Sequence, residues 1–252
     1  MQFISGSIFF AILLTGCATR TTRGMHAVGN VVTDGFVSTV SVIEKSICPI
    51  VCIAVGQDNT ATLNSIEGTG FFISQDGAFV TARHVIDAIV GPRQPPTKPC
   101  PLSAIYLPTD GWGHENRRWF AFRPGECLTI RDFDIARCRS VARITVEFTP
   151  VRFEDSEQRA ATAVAFTGFP LQSLDPITSR GYIAAYTSQV AGLGKTEMLI
   201  DRTAWPGDSG SPVYLEDGRV IGMVQKRGTG NAEGIAFVRP TRFIQRLLAT
   251  RQ

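Results

Sequence analysis

Pro206-Gly207-Asp208-Ser209-Gly210-Ser211-Pro212 is the stretch on which the reading of the whole chain turns. A serine that attacks an acyl carbon needs backbone N–H groups aimed at the oxyanion that develops there. Glycines on both sides of Ser209 let the backbone turn, so that the N–H groups of Gly207 and Ser209 can face one point. Pro212-Val213-Tyr214 then leads into a strand. A Ser/Gly/Asp turn also occurs in β proteins that do no chemistry. Ser209 therefore counts as a nucleophile only if a base and a carboxylate stand elsewhere in the chain.

The base is sought among three histidines, His26, His84 and His114. His26 lies in a Thr/Arg/Gly-rich stretch that reads as a tether, and His114 in a Pro- and Gly-marked excursion. His84 ends the run Gly68-Thr69-Gly70-Phe71-Phe72-Ile73-Ser74, Gly77, Val80-Thr81-Ala82-Arg83-His84-Val85, which predicts a strand, a turn and a second strand with the histidine at its end. The carboxylate comes from Arg131-Asp132-Phe133-Asp134-Ile135-Ala136. An aspartate that orients an imidazole should sit beside an apolar strand. That favours Asp134 over its competitor Asp132.

The order His84, Asp134, Ser209 excludes an α/β-hydrolase, because no histidine follows Ser209 and position 211 is Ser where the nucleophile elbow needs Gly. His-Glu-x-x-His, P-loop and Gly-x-Gly-x-x-Gly motifs are missing from the sequence, so neither metal nor cofactor is expected. The formal net charge of +3 is weak and shows no basic stripe, which argues against a nucleic-acid partner.

Short β runs with turn signals between them recur from residue 50 to 238, which suits an all-β sandwich or a pair of barrels. Helices are expected at each end: one over Phe36, Val37, Val40, Val42 and Ile43 before Pro49, and one over residues 241–250 with apolar positions 243, 244, 247 and 248. Residues 91–125, with five prolines before Leu102, read as a long surface excursion that holds strand-like runs at 104–107 and 119–122.

Residues 3–14 are apolar and uncharged, too short for a membrane span and suited to a secretory signal. Leu14-Thr15-Gly16-Cys17 follows at once and resembles a bacterial lipobox. The expected organisation is a lipoprotein-type signal at 1–17 with lipidation at Cys17, a tether at 18–33 and one catalytic domain at 34–252. Five cysteines remain, Cys48, Cys52, Cys100, Cys127 and Cys138, so at least one thiol stays free or pairs outside the chain. Cys48 and Cys52 cannot pair within an extended run, since four strand residues span ~13 Å and bridged Cα atoms lie about 5.5 Å apart.

With these blocks in place, the sequence resembles chymotrypsin-fold serine proteases, and most of all the HtrA-type bacterial peptidase domain. The histidine block, Thr167-Gly168-Phe169-Pro170 with Thr178-Ser179-Arg180-Gly181-Tyr182-Ile183, Arg219-Val220-Ile221-Gly222-Met223-Val224 and Gly234-Ile235-Ala236-Phe237-Val238-Arg239-Pro240 carry the likeness, over roughly residues 36–250. The resemblance implies two perpendicular six-stranded antiparallel β-barrels with the site between them, and a protein or peptide substrate. It implies an oxyanion hole at Gly207 and Ser209, and a substrate pocket lined by Thr203, Gln225, Lys226, Arg227 and Gly234. Arg83 before the histidine, Asp208 where relatives carry Asn, and Ser211 where they carry Gly depart from the pattern. No PDZ domain is expected after the terminal helix. The remaining expectations are an exported, lipid-anchored protein of a bacterial envelope, or the same scaffold used as a silent binding module.

Overall fold

In the computed structural model, the residues described are 34–58, 60–91, 100–187 and 196–249. The expected signal, the lipidation site Cys17 and the tether fall outside them. Asp34 caps the first helix, α1 (Gly35–Glu44), its Oδ1 accepting from Phe36 N at 3.0 Å. Phe36, Thr39 and Ile43 form the buried face of α1. The chain then enters the first sheet: β1 (Ile47–Val55), β2 (Ala61–Phe72), β3 (Ala78–Ala82), helix α2 (Arg83–Val90), β4 (Leu102–Pro108), β5 (Arg117–Ala121), β6 (Leu128–Ile130) and β7 (Ile135–Arg139). The second sheet takes β8 (Arg152–Phe153), β9 (Ala163–Gly168), β10 (Ile177–Thr187), β11 (Glu197–Ile200), β12 (Pro212–Tyr214), β13 (Arg219–Arg227) and β14 (Ala236–Pro240), and α3 (Thr241–Ala249) follows.

The fold is the expected all-β pair. Strand order in the first sheet is β5-β4-β1-β2-β3-β7-β6. This sheet curls until Phe122 bridges Ser140, just past the ends of β5 and β7. In the second sheet the order β12-β9-β10-β11-β14-β13 closes on itself through β12–β13, a barrel of six strands, and β8 adds in parallel to β13. Each sheet thus carries one short strand, β6 or β8, beyond the six expected. The core of the first barrel gathers Ile50, Phe71, Phe79, Ile105 and Ile135, while the second encloses Val164, Phe166, Ile200, Val213 and Val238.

Three local readings change. β2 runs for 12 residues, although only its apolar end reads as a strand; residues 62–64 are exposed and polar enough to hide the period. β3 stops at Ala82, and His84 sits in the first turn of α2 rather than at a strand end. Val85, Ile86 and Ile89 supply the buried face that makes these eight residues helical. The excursion gives the first barrel its β4–β5 hairpin, so part of it is barrel wall and not surface loop.

The described cysteines pair as Cys52–Cys100 and Cys127–Cys138, with Cα–Cα distances of 5.4 and 4.5 Å. Cys48 is the buried free thiol, and burial pushes its pKa up, away from reactivity.

Candidate active site

The aspartate half of the site is built by a turn. Residues Arg131–Phe133 make a short 3-10 turn, and Asp134 then takes a left-handed conformation at φ 53° and ψ 47° before β7 begins. That conformation is uncommon for a residue with a side chain. It throws the carboxylate back onto the start of α2. There Oδ1 accepts from His84 N at 2.9 Å and Oδ2 lies 2.7 Å from His84 Nδ1, while Asp134 O accepts from Arg83 N at 3.0 Å. Backbone and ring of the histidine are held by one residue. Asp132 is exposed on the outer side of the turn, and its carboxylate has no hydrogen bond to His84. Arg83 does not crowd the imidazole with charge, because its guanidinium pairs with Asp87 at 2.8 Å along α2.

The serine half comes from the second barrel. Gly207 has φ +104°, and a Cβ there would lie 2.3 Å from Phe169 O, so only glycine fits. Gly210 has φ +91°, with Thr69 O 2.0 Å from where a Cβ would be. These contacts show how tightly the turn is pressed against the first barrel. Ser209 O accepts from Thr69 N at 2.9 Å, and Gly210 N donates to Val224 O at 2.8 Å. Ser209 Oγ donates to Gln225 O at 3.0 Å. Among the described residues no hydrogen bond joins it to His84.

Thr69, which the sequence reading treats only as part of a strand, ties this turn together. Its Oγ1 donates to Gly207 O at 2.8 Å and accepts from Phe169 N at 3.0 Å. Its own carbonyl accepts from Thr81 Oγ1 at 2.7 Å. Trp112, from the excursion, packs on Phe169 with ring centroids 5.0 Å apart and donates Nε1 to Glu44 O at 2.9 Å. The excursion therefore braces the residue whose carbonyl faces Gly207.

Asp208 is 1% exposed and accepts from Trp205 N at 2.7 Å. Burial raises its carboxyl to about 6, and the Trp205 bond only partly offsets that. Ser211 is buried beside it with its hydroxyl unpartnered. Both side chains crowd Gly168, where a Cβ would lie 2.0 Å from Ser211 Oγ and 3.1 Å from Asp208 Oδ1.

Of the residues expected to line a substrate pocket, Thr203 is half-buried, Lys226 and Arg227 are exposed, and Gly234 has φ +92° with open space around its α-carbon. Lys226 Nζ rests over the Phe237 ring at 5.1 Å. Gln225 requires a correction. Its side chain is not exposed as a pocket wall: the residue is 3% exposed, and Nε2 donates to Asp134 Oδ2 at 2.5 Å and to Asp134 O at 3.2 Å when the amide nitrogen faces the carboxylate. The register of β13 against β14 shifts between Val224 and Lys226, and such an irregularity re-aims a side chain. Among the described residues no cluster of His, Cys, Asp or Glu is placed to hold a metal ion.

Two closed or curled β-sheets, with histidine and aspartate on one and a glycine-flanked serine on the other, define a chymotrypsin-fold peptidase domain. The model of the trypsin-like peptidase domain family matches residues 68–223, a span that contains His84, Asp134 and Ser209. The chain belongs to that family. It is also 32% identical over 167 residues to the uncharacterized protein y4bJ of Sinorhizobium fredii, an alignment that takes in 65% of this chain and 22% of that protein. The chain thus spans about a fifth of the length of that relative.

Proposed function

We propose that this protein is a serine endopeptidase of the HtrA type. The observation that carries the reading is the His84–Asp134 pair, bonded at 2.7 Å, set across from a Ser209 whose turn tolerates only glycine at Gly207. In the reaction, rotation about χ1 brings Ser209 Oγ from Gln225 O to His84 Nε2. The imidazole takes the hydroxyl proton as Oγ attacks the peptide carbonyl, then gives a proton to the leaving amine. Asp134 keeps Nδ1 protonated and stabilises the imidazolium. The N–H groups of Gly207 and Ser209 receive the oxyanion. Water then cleaves the acyl-enzyme by the same steps in reverse.

Asp208 bears on activation. In digestive relatives the aspartate before the serine pairs with a new N-terminus. Here one carboxylate oxygen is already taken by Trp205 N, and α1 and β1 supply no comparable cleavage motif. Activity is therefore expected without cleavage inside residues 34–60. Thr203 is neutral, and Lys226 and Arg227 are cationic, so a substrate Lys or Arg would be buried without a counter-charge, at a cost of several kcal/mol. Neutral small or medium side chains are favoured before the scissile bond. Two disulfides among the described residues fit an exported protein, and lipidation at Cys17 would hold it at a bacterial envelope membrane.

A peptide-library profile tests this reading. Cleavage after neutral residues by the wild-type chain, lost in Ser209→Ala, supports it. Cleavage dominated by Arg or Lys rejects the specificity. A folded wild-type chain that binds peptides and cleaves none favours the silent binding module.

A further inference from the structure

Arg239 lies in β14 of the second barrel and is 6% exposed. Its guanidinium crosses to the first barrel. Nε donates to Phe133 O at 3.0 Å, Nη1 donates to Thr196 O, and Nη2 stands 3.8 Å from Glu197 Oε1. Phe133 and Phe243, whose ring centroids are 4.4 Å apart, lie together beside it at 5.8 and 5.9 Å. Burial lowers the pKa of Arg239, and the nearby carboxylates of Glu197 and Asp134 oppose that shift. A buried cation is costly to desolvate, and an apolar residue packed beside the two phenylalanine rings would avoid that cost. What an apolar residue could not do is bond the peptide that leads into Asp134.

We propose that Arg239 is a positioning residue for Asp134, fixing the Phe133–Asp134 peptide so that the carboxylate meets His84. The proposal rests on the peptidase reading above. Asp134 N donates to Arg131 O at 3.1 Å, so both polar ends of that peptide are held. With the peptide plane fixed, the left-handed backbone of Asp134 sets the direction of its Cα–Cβ bond, and so the place from which the carboxylate reaches His84. Without Arg239, Phe133 O loses its partner in a buried place, and the peptide is free to rotate. The left-handed state is unfavourable for a non-glycine residue and persists only where surrounding structure enforces it. Arg239 is part of that structure, and it makes the base of one barrel depend on the last strand of the other.

The test uses the full chain in two forms. One carries Arg239→Met with Glu197→Gln, which removes both charges together. The other carries Arg239→Lys, which keeps a cation beside Glu197 but loses the Nε donor. Two readouts are taken: the low-field NMR resonance of the His84 Nδ1 proton, which needs no turnover, and kcat and KM on a peptide substrate. Both variants should weaken the resonance and lower kcat roughly 10–100-fold while KM stays within about two-fold. In an Asp134→Asn background the same changes should add almost nothing. A folded variant with an unchanged resonance overturns the proposal, and so does an equal loss of kcat in both backgrounds. If the doubly neutral variant does not fold, Arg239→Lys decides alone, and wild-type kcat and resonance there contradict the proposal. A wild-type chain that shows the resonance, loses it in the variants and cleaves no peptide rejects the peptidase reading while supporting the positioning role.

Discussion

On the first barrel His84 and Asp134 are already joined twice, at 2.9 Å through the backbone and at 2.7 Å through the ring. On the second, Ser209 Oγ points to Gln225 O, 3.0 Å away. The two halves of the site are thus prepared in different ways. The imidazole is fixed by main-chain geometry: a left-handed aspartate, a helix that starts beside it and the Cys127–Cys138 disulfide that brackets the turn. The nucleophile is fixed only as far as its α-carbon, by Gly207, Gly210 and Thr69. Its hydroxyl is held by a single hydrogen bond to a backbone carbonyl, and side-chain rotation takes picoseconds to nanoseconds for an unhindered rotor.

Removing either half should give the largest effect. Ser209→Ala or His84→Ala should each lower kcat by roughly 10⁴–10⁶, because the members act as one unit. Asp134→Asn should cost roughly 10⁴ through the wrong imidazole tautomer. Asp132→Asn should be mild; the reverse ranking, read from steady-state kinetics, would overturn the assignment of the carboxylate.

Gly207→Ala strikes the serine half through its backbone. The added Cβ meets Phe169 O at 2.3 Å, so the turn must shift and the oxyanion donor with it. A kcat loss of roughly 10²–10³ is expected. Gly111→Ala is the control, since its φ is also positive, at +93°, but nothing lies within 4 Å of the new carbon. Equal kcat losses in the two variants would show that strain at positive φ, and not the turn against Phe169, is what matters.

The disulfides separate stability from geometry. Cys52–Cys100 spans 48 residues and Cys127–Cys138 spans 11. Chain-entropy reasoning gives about 4 and about 3 kcal/mol respectively. Paired Cys→Ala variants in urea denaturation should follow that order. Activity should follow the opposite order, because only the shorter loop encloses Asp134.

Asp208 gives the smallest effect and the clearest sign. Its folded pKa is raised from 3.8 to about 6 by burial, so the folded state holds its proton more tightly than the unfolded chain. Protonation then favours folding. This contribution is present at low pH, is lost as pH rises from about 4 to about 6, and amounts to about 3 kcal/mol. Asp208→Asn keeps an acceptor for Trp205 N and removes the titration. Its stability should be less dependent on pH between 4 and 6 and should exceed the wild type at pH 7.5. Parallel pH profiles for the two proteins would contradict the account of Asp208.

The three candidate side chains are legible in the sequence because each sits in a local pattern: glycines around Ser209, a strand–turn run before His84 and an apolar run after Asp134. What surrounds them is not. Thr69 acts through a strand pressed against a turn 138 residues away, and Arg239 through a carbonyl 106 residues away. No spacing along the chain announces either. Gln225, which the resemblance places on a pocket wall, is instead buried against Asp134, beside a register shift between Val224 and Lys226 that spacing along the chain does not announce. Helix α2 was hidden by its length of eight residues, short enough to read as the tail of β3. The fold class survived these errors because recurring short strands and the order of the three blocks do not depend on any one boundary.

The central claim is that Ser209 is a nucleophile activated across the two barrels by His84. Intact-mass measurement after treatment with a fluorophosphonate tests it most directly. One adduct per chain is expected, mapped to Ser209, absent from Ser209→Ala and formed far more slowly in His84→Ala. A folded wild-type chain that stays unlabelled, or an adduct that persists in Ser209→Ala, would contradict it.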